Sequence, residues 1–328
     1  MNNLQSEKQS ELVQNARTTY SRALLNLALY AFFCQVFVIL FSSISRSVLG
    51  TDTLPTLLRY AIQFGTMYAL GLPFYLRLSK EVPVSPPKQH KIKAWHLILC
   101  IPCLLCLMYI GNLTGMFITW LIAKISGVNT ESTMIQDNVY GEYGYVMILA
   151  AVLCAPFVEE MLFRKVLIDR IRKYGDGKAI LLSGIFFGLF HGNLTQLFYT
   201  TLVGLFFAFV YVRTGKVIYT IILHTAINFI GGAMPYFVHA DTVIKAINEK
   251  NYLSVLTNTP FMIYALAVIS TAVIGLVLLI VFHGQYELDE PETLLPKGTR
   301  RYAVTANIGF WAMVLFCVYD FTIQILKG

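Results

Sequence analysis

The chain has 328 residues, 56% of them hydrophobic and only 13% charged, with a net charge of +7. Soluble domains carry about 25% charged residues, so the composition excludes an ordinary soluble enzyme. Apolar runs recur near the ~20 residues that a spanning helix needs, and the expectation is an all-α, polytopic integral membrane helical bundle of about eight to nine transmembrane helices.

The first 22 residues are polar, lack a cleavable signal pattern and read as a cytoplasmic tail. Candidate spans follow at 24–45, 57–77, 97–122, 143–168, 179–193, 196–213, 217–237, 260–282 and 303–326. The polar stretches 79–95, 125–142 and 284–301 are too short for separate domains. The chain therefore reads as one membrane domain in three portions: N-terminal helices (1–140), a core (141–238) and C-terminal helices (239–328). Basic residues cluster at Arg17 and Arg22, at Arg77 to Lys93, at Arg170 to Lys178, at Arg213 and Lys216, and at Lys297 to Arg301. These clusters fall on alternating sides of nine helices, so all can lie inside, with the N-terminus cytoplasmic. The bias accounts for the net charge without a nucleic-acid partner. The lipid bilayer is the expected partner, and binding of anionic lipid by the basic loops is a rival use of the same charges. The six cysteines lie in apolar segments and read as small buried hydrophobes.

Within the fourth span stands Glu159-Glu160-Met161-Leu162-Phe163-Arg164. A carboxylate at membrane depth is costly and marks a functional site by default. The i,i+4 spacing lets Arg164 pair with Glu160. Glu159 points about 100° away around the helix, which leaves one carboxylate neutralised and the other free to handle a proton.

Two histidines share that depth. His191 is 13 residues after Lys178 and His224 is 8 after Lys216, both counted from inner basic clusters. Gly184, Gly188 and His191 make one helical stripe, and small residues spaced by four permit close helix approach. His224 and Asn228 are one turn apart and can aim at one point. Gly192-Asn193 reads as a turn. His90, His96, His239 and His283 lie at helix ends and read as interfacial.

Taken in order, Glu159-Glu160-x-x-x-Arg164, Phe187-x-x-x-His191 and His224-x-x-x-Asn228 resemble the three motifs of the CPBP intramembrane proteases. That group includes the type II CAAX prenyl endopeptidases and bacteriocin-processing or self-immunity proteins. The resemblance spans about 145–230 and implies a helical membrane fold with a buried site. It also implies an intramembrane endopeptidase acting on a membrane-associated or lipidated peptide or membrane protein. The expected location is a bacterial cell membrane.

The residues suggest the same chemistry. No HExxH occurs and no Ser-His-Asp pattern stands out. Glu159 suits general-base work on a water, His191 can orient that water, and His224 and Asn228 can donate hydrogen bonds to an oxyanion. Glu160–Arg164 would hold the helix. No cofactor is favoured. Zinc remains open, with Glu159, His191 and His224 as its ligands if present. The alternative is a non-catalytic membrane scaffold or immunity-type binding protein using the same fold.

Overall fold

The computed structural model describes residues 2–126, 140–285 and 288–327. Most of the expected acidic outer loop, including Glu131 and Asp137, lies outside the described residues.

Among the described residues the regular secondary structure is helical throughout. Helix α1 is Asn2–Leu49. Helix α2 is a continuous run of Thr56–Phe64, a π-helical stretch Gly65–Gly71 and Leu72–Ser79. Helix α3 is Ala94–Ser126, α4 is Gly144–Tyr174, α5 is Asp176–Leu189, α6 is Leu194–Thr214 and α7 is Val217–Phe237. Two short helices follow, α8 (Ala240–Asn248) and α9 (Tyr252–Thr257). Helix α10 is Thr259–Val281, and α11 (Thr299–Thr305) and α12 (Ile308–Lys327) close the chain.

Six of these helices, α1, α3, α4, α6, α7 and α10, are long and apolar enough to cross a membrane. The α11–α12 pair, bent by 56°, would make a seventh. Two of the nine expected spans are helical but fall outside this set. In α2, Arg59, Gln63 and Arg77 dilute the apolar run, and α5 has 14 residues where a span needs about 20. Outward faces are apolar, as a lipid-facing surface must be. Ile263, Leu266 and Ile269 of α10 and Leu113, Phe117 and Trp120 of α3 are all more than half exposed.

Glycines set the closest helix approaches, because lipid is as apolar as leucine and close packing carries association in a membrane. A Cβ at Gly184 would collide with Leu205, and one at Gly188 with Thr201, so the expected small-residue stripe joins α5 to α6. Gly111 and Gly115 of α3 sit on the backbones of Tyr199 and Thr195 of α6 in the same manner. Helix α6 is thus clasped from two sides. It contributes Ala208, Tyr211 and Val212 to a hydrophobic cluster with α1, α2, α4, α5, α11 and α12. Its Val203, Phe207 and Val210 join a second cluster with α3, α7 and α10.

The C-terminal end of α4 is tied to two loops. Arg172 pairs with Asp176 (3.0 Å) and Glu292 (2.9 Å) and donates to the carbonyls of Ser85 and Pro86. Arg170 donates to the carbonyls of Ser79 and Val166. Both guanidinium groups are buried and bound within the protein.

Candidate active site

Helix α4 is not a uniform α-helix. Its α-helical Ala155–Glu160 lies between π-helical Ala150–Cys154 and Met161–Ile168. A π-turn bonds i to i+5 and occurs mostly as a single-turn bulge inside an α-helix, frequently at a functional site. The i,i+4 relation nevertheless holds across the second boundary. Arg164 Nε lies 3.0 Å from Glu160 Oε2, with both side chains fully buried. Arg164 Nη2 donates to the Gly204 carbonyl of α6 (3.1 Å). Its guanidinium carbon sits 4.3 Å from the centre of the Phe187 ring and 5.5 Å from that of Phe207, and such contacts strengthen when desolvated. The cation is therefore held by a carboxylate, a carbonyl and two aromatic rings drawn from three helices.

The other oxygen of Glu160 is taken as well. His224 Nδ1 on α7 lies 3.0 Å from Glu160 Oε1. A carboxylate already paired with arginine can only accept, so Nδ1 carries the proton and donates. This fixes the ring. Nε2 then faces the opposite way, 3.9 Å from Glu159 Oε2. Nε2 accepts a hydrogen bond when the ring carries one proton and donates when it carries two. The ring is packed against Phe207 (centroids 5.0 Å, stacked) and Phe187 (5.8 Å, edge-on).

Glu159 differs from its neighbour. Its side chain is 22% exposed and lines a cavity of about 510 Å³ that His191, His224 and Asn228 also line. His191 sits just past the end of α5, and its Nδ1 donates to the Phe187 carbonyl (2.8 Å). That bond leaves Nε2 as the acceptor. Phe187 touches both histidines and Arg164. Asn193 is the turn residue expected. Its side-chain oxygen caps α6, accepting from the amides of Thr195 (2.9 Å) and Gln196 (3.3 Å).

The six expected residues thus come together, in two tiers. Glu160 and Arg164 form a buried ionic base, and Glu159, His191, His224 and Asn228 meet the cavity. Two of these residues have a second, structural bond. One ring nitrogen of His224 serves Glu160. Asn228 Nδ2 donates to the Ala151 carbonyl inside the first π-turn of α4 (2.7 Å), so one of its two N–H groups is committed to holding α7 on α4.

Further residues line the cavity that the sequence did not single out. They include Met108, Tyr109 and Asn112 of α3, Gln196 and Tyr199 of α6, and Tyr264 of α10. The Gly111-x-x-x-Gly115 spacing was the available signal for α3, since it seats that helix beside Tyr199. No comparable signal marked α10.

The expected zinc ligands were tested against this geometry. Among the described residues no three His, Cys, Asp or Glu side chains converge as a metal-ligand group. Of the three residues expected as ligands if zinc is present, His224 donates Nδ1–H to the Glu160 carboxylate, an arrangement also usual for a metal-bound histidine, and holds Nε2 3.9 Å from Glu159 Oε2. Glu159, His191 and His224 would hold a zinc ion if one binds, and it would supply Lewis-acid activation of the water.

Comparison with known proteins bears on the same region. Residues 142–230 match the family model described as type II CAAX prenyl endopeptidase Rce1-like. A Bacillus subtilis (strain 168) protein provisionally named membrane peptidase YdiL is 26% identical over 207 residues, covering 52% of this chain and 84% of that protein. No solved structure matches the chain significantly.

Proposed function

We propose that this chain, which through residues 142–230 belongs to the CPBP family of intramembrane proteases, hydrolyses a peptide bond with a water activated by Glu159. The observation that carries the reading is the unequal treatment of two adjacent carboxylates. Glu160 is sealed by Arg164 and His224, whereas Glu159 faces the cavity beside two imidazoles.

In this mechanism a peptide carbonyl enters the cavity and water lies between Glu159 and His191. Glu159 takes one proton as the water oxygen bonds to the carbonyl carbon. The negative charge moves to the carbonyl oxygen, where the second N–H of Asn228 and a protonated His224 Nε2 donate to it. The C–N bond then breaks, the nitrogen takes the proton held by Glu159, and a carboxylic acid and an amine result, which leave as carboxylate and ammonium once the acid proton passes to the amine. Glu160–Arg164 is not consumed. Its part is to fix the His224 ring and to set the angle at which Glu159 leaves the helix.

The cavity lining is mostly apolar, with Met108, Met147, Ile148, Val203 and Ile227 beside the polar groups. That supports a peptide carried on a membrane-spanning or lipidated protein as substrate, reached from within the bilayer. The test compares membrane and released peptides from cells carrying wild-type protein or Glu159→Gln. Products that need Glu159 support the protease. Identical peptide sets, together with a biological effect that survives Glu159→Gln, would instead support a scaffold or immunity-type binding protein.

A further inference from the structure

Asp320 stands on α12 among Phe316, Val318, Tyr319 and Phe321, and nothing above uses it. An ionisable residue inside a membrane helix is a functional-site hypothesis by default. Asp320 does not line the cavity, yet it reaches the turn that carries His191. Its Oδ1 accepts from Gln35 Nε2 of α1 at 3.0 Å. Its Oδ2 lies against the α-carbon of Gly192, so that a Cβ there would overlap the carboxylate. Gly192 has φ +60°, a backbone that glycine adopts without steric cost and leaves as readily.

We propose that Asp320, held by Gln35, is a positioning residue that walls the His191–Gly192 turn and so fixes the direction in which His191 Nε2 enters the cavity. On its inner side the imidazole is held by the Phe187 carbonyl through Nδ1. After the turn, Asn193 pins the start of α6 through the Thr195 amide. Between those two restraints the chain passes through a glycine, and the Asp320 carboxylate closes that gap. The arrangement ties α1 and α12, helices outside the region of family resemblance, to a residue of the site. The proposal rests on the reading of His191 as a reacting group.

The experiment uses the full chain reconstituted in vesicles, with two readouts. One is kcat and KM on a peptide whose cleavage depends on Glu159. The other, independent of turnover, is the rate at which diethyl pyrocarbonate modifies His191, read by mass spectrometry with His224 as internal reference. A misplacement of a reacting group by about 1 Å can cost about 10²-fold, so Asp320→Ala should lower kcat about 10–100-fold, leave KM within roughly twofold and change His191 modification relative to His224 about threefold or more. Asp320→Asn keeps an oxygen for Gln35 and the same bulk against Gly192, and should restore most of the kcat. The proposal is overturned if Asp320→Ala leaves both readouts at wild-type values. It is also overturned if both histidines change together, which indicates general loosening, or if Asp320→Asn falls as far as Asp320→Ala. Should no Glu159-dependent product exist, the protease reading fails, and the His191 modification ratio still decides whether Asp320 holds the turn.

Discussion

Replacing Arg164 by alanine tests the ionic base of the site. The side chain is 0% exposed, its Nε is 3.0 Å from Glu160 and its Nη2 is 3.1 Å from the Gly204 carbonyl. Removing one partner of a buried pair leaves an uncompensated charge, a loss of about 3–5 kcal/mol. The carbonyl of Gly204 loses a charge-assisted bond, adding about 1.5–3 kcal/mol. These terms overlap, because Glu160 keeps its His224 partner, so about 4 kcal/mol is the expected total. Glu159→Gln loses only the 3.9 Å approach to His224 Nε2 among the described ion pairs and should cost under about 1 kcal/mol, as substitutions away from buried pairs do. Arg164→Met combined with Glu160→Gln removes both charges and should recover about half of the Arg164→Ala loss, since uncharged replacements for buried pairs are often neutral. The assay is reversible unfolding in mixed detergent micelles, with thermal melting as a second measure. If Arg164→Ala melts with Glu159→Gln, or the double variant is no better than Arg164→Ala, Arg164 is not the buried counter-ion inferred here.

Other changes have equally definite outcomes. Glu159→Gln should lower cleavage by about 10²–10⁴-fold, the usual contribution of a general base, with an unchanged melting profile; residual activity within threefold of wild type would remove Glu159 from that role. Dialysis against a chelator should leave activity intact, and near-stoichiometric zinc by mass spectrometry with activity lost and then restored by zinc would recast Glu159, His191 and His224 as ligands. Asn228→Ala should cost about 1–3 kcal/mol in stability by stranding the Ala151 carbonyl, besides lowering kcat; a purely kinetic effect would argue against the helix–helix bond. Gly188→Leu should prevent α5 from seating on α6, because the space is filled by Thr201 and Leu197, and a well-folded variant would contradict the packing described.

Local relations were the legible part of this chain. The Glu160–Arg164 pair follows from i,i+4 spacing, and the Gly184/Gly188 stripe from a helical period. Both depend on residues within two turns of each other. The convergence of Glu159, His191 and His224 was readable because each lies at a similar count from an inner basic cluster, which acts as a depth gauge. What stayed hidden depends on pairs far apart in the chain. His224 binds Glu160 across 64 positions, Asn228 binds Ala151 across 77, and Gln35 binds Asp320 across 285. No spacing rule reaches that far. The count of spans differed for a simpler reason. Hydrophobic runs mark helices but neither their lengths nor how far single polar residues dilute them, so α5 at 14 residues and α2, with Arg59, Gln63 and Arg77, were read as full crossings.

The π-turn Ala150–Cys154 makes helix α4 tolerant of a single-residue deletion at that one place. A π-turn holds one residue more than an α-turn, so losing one there lets the turn relax into ordinary α-helix without turning what precedes it. Met147 and Ile148 would keep their place in the cavity lining, and the Glu160–Arg164 pair, lying after the turn, would survive. The same deletion within the α-helical Ala155–Glu160 would instead swing all that precedes it by about 100° relative to Arg164. Helix α4 therefore carries its slack in one turn, and a length change there is a route by which such a chain can vary while keeping both its apolar wall and its carboxylates in place.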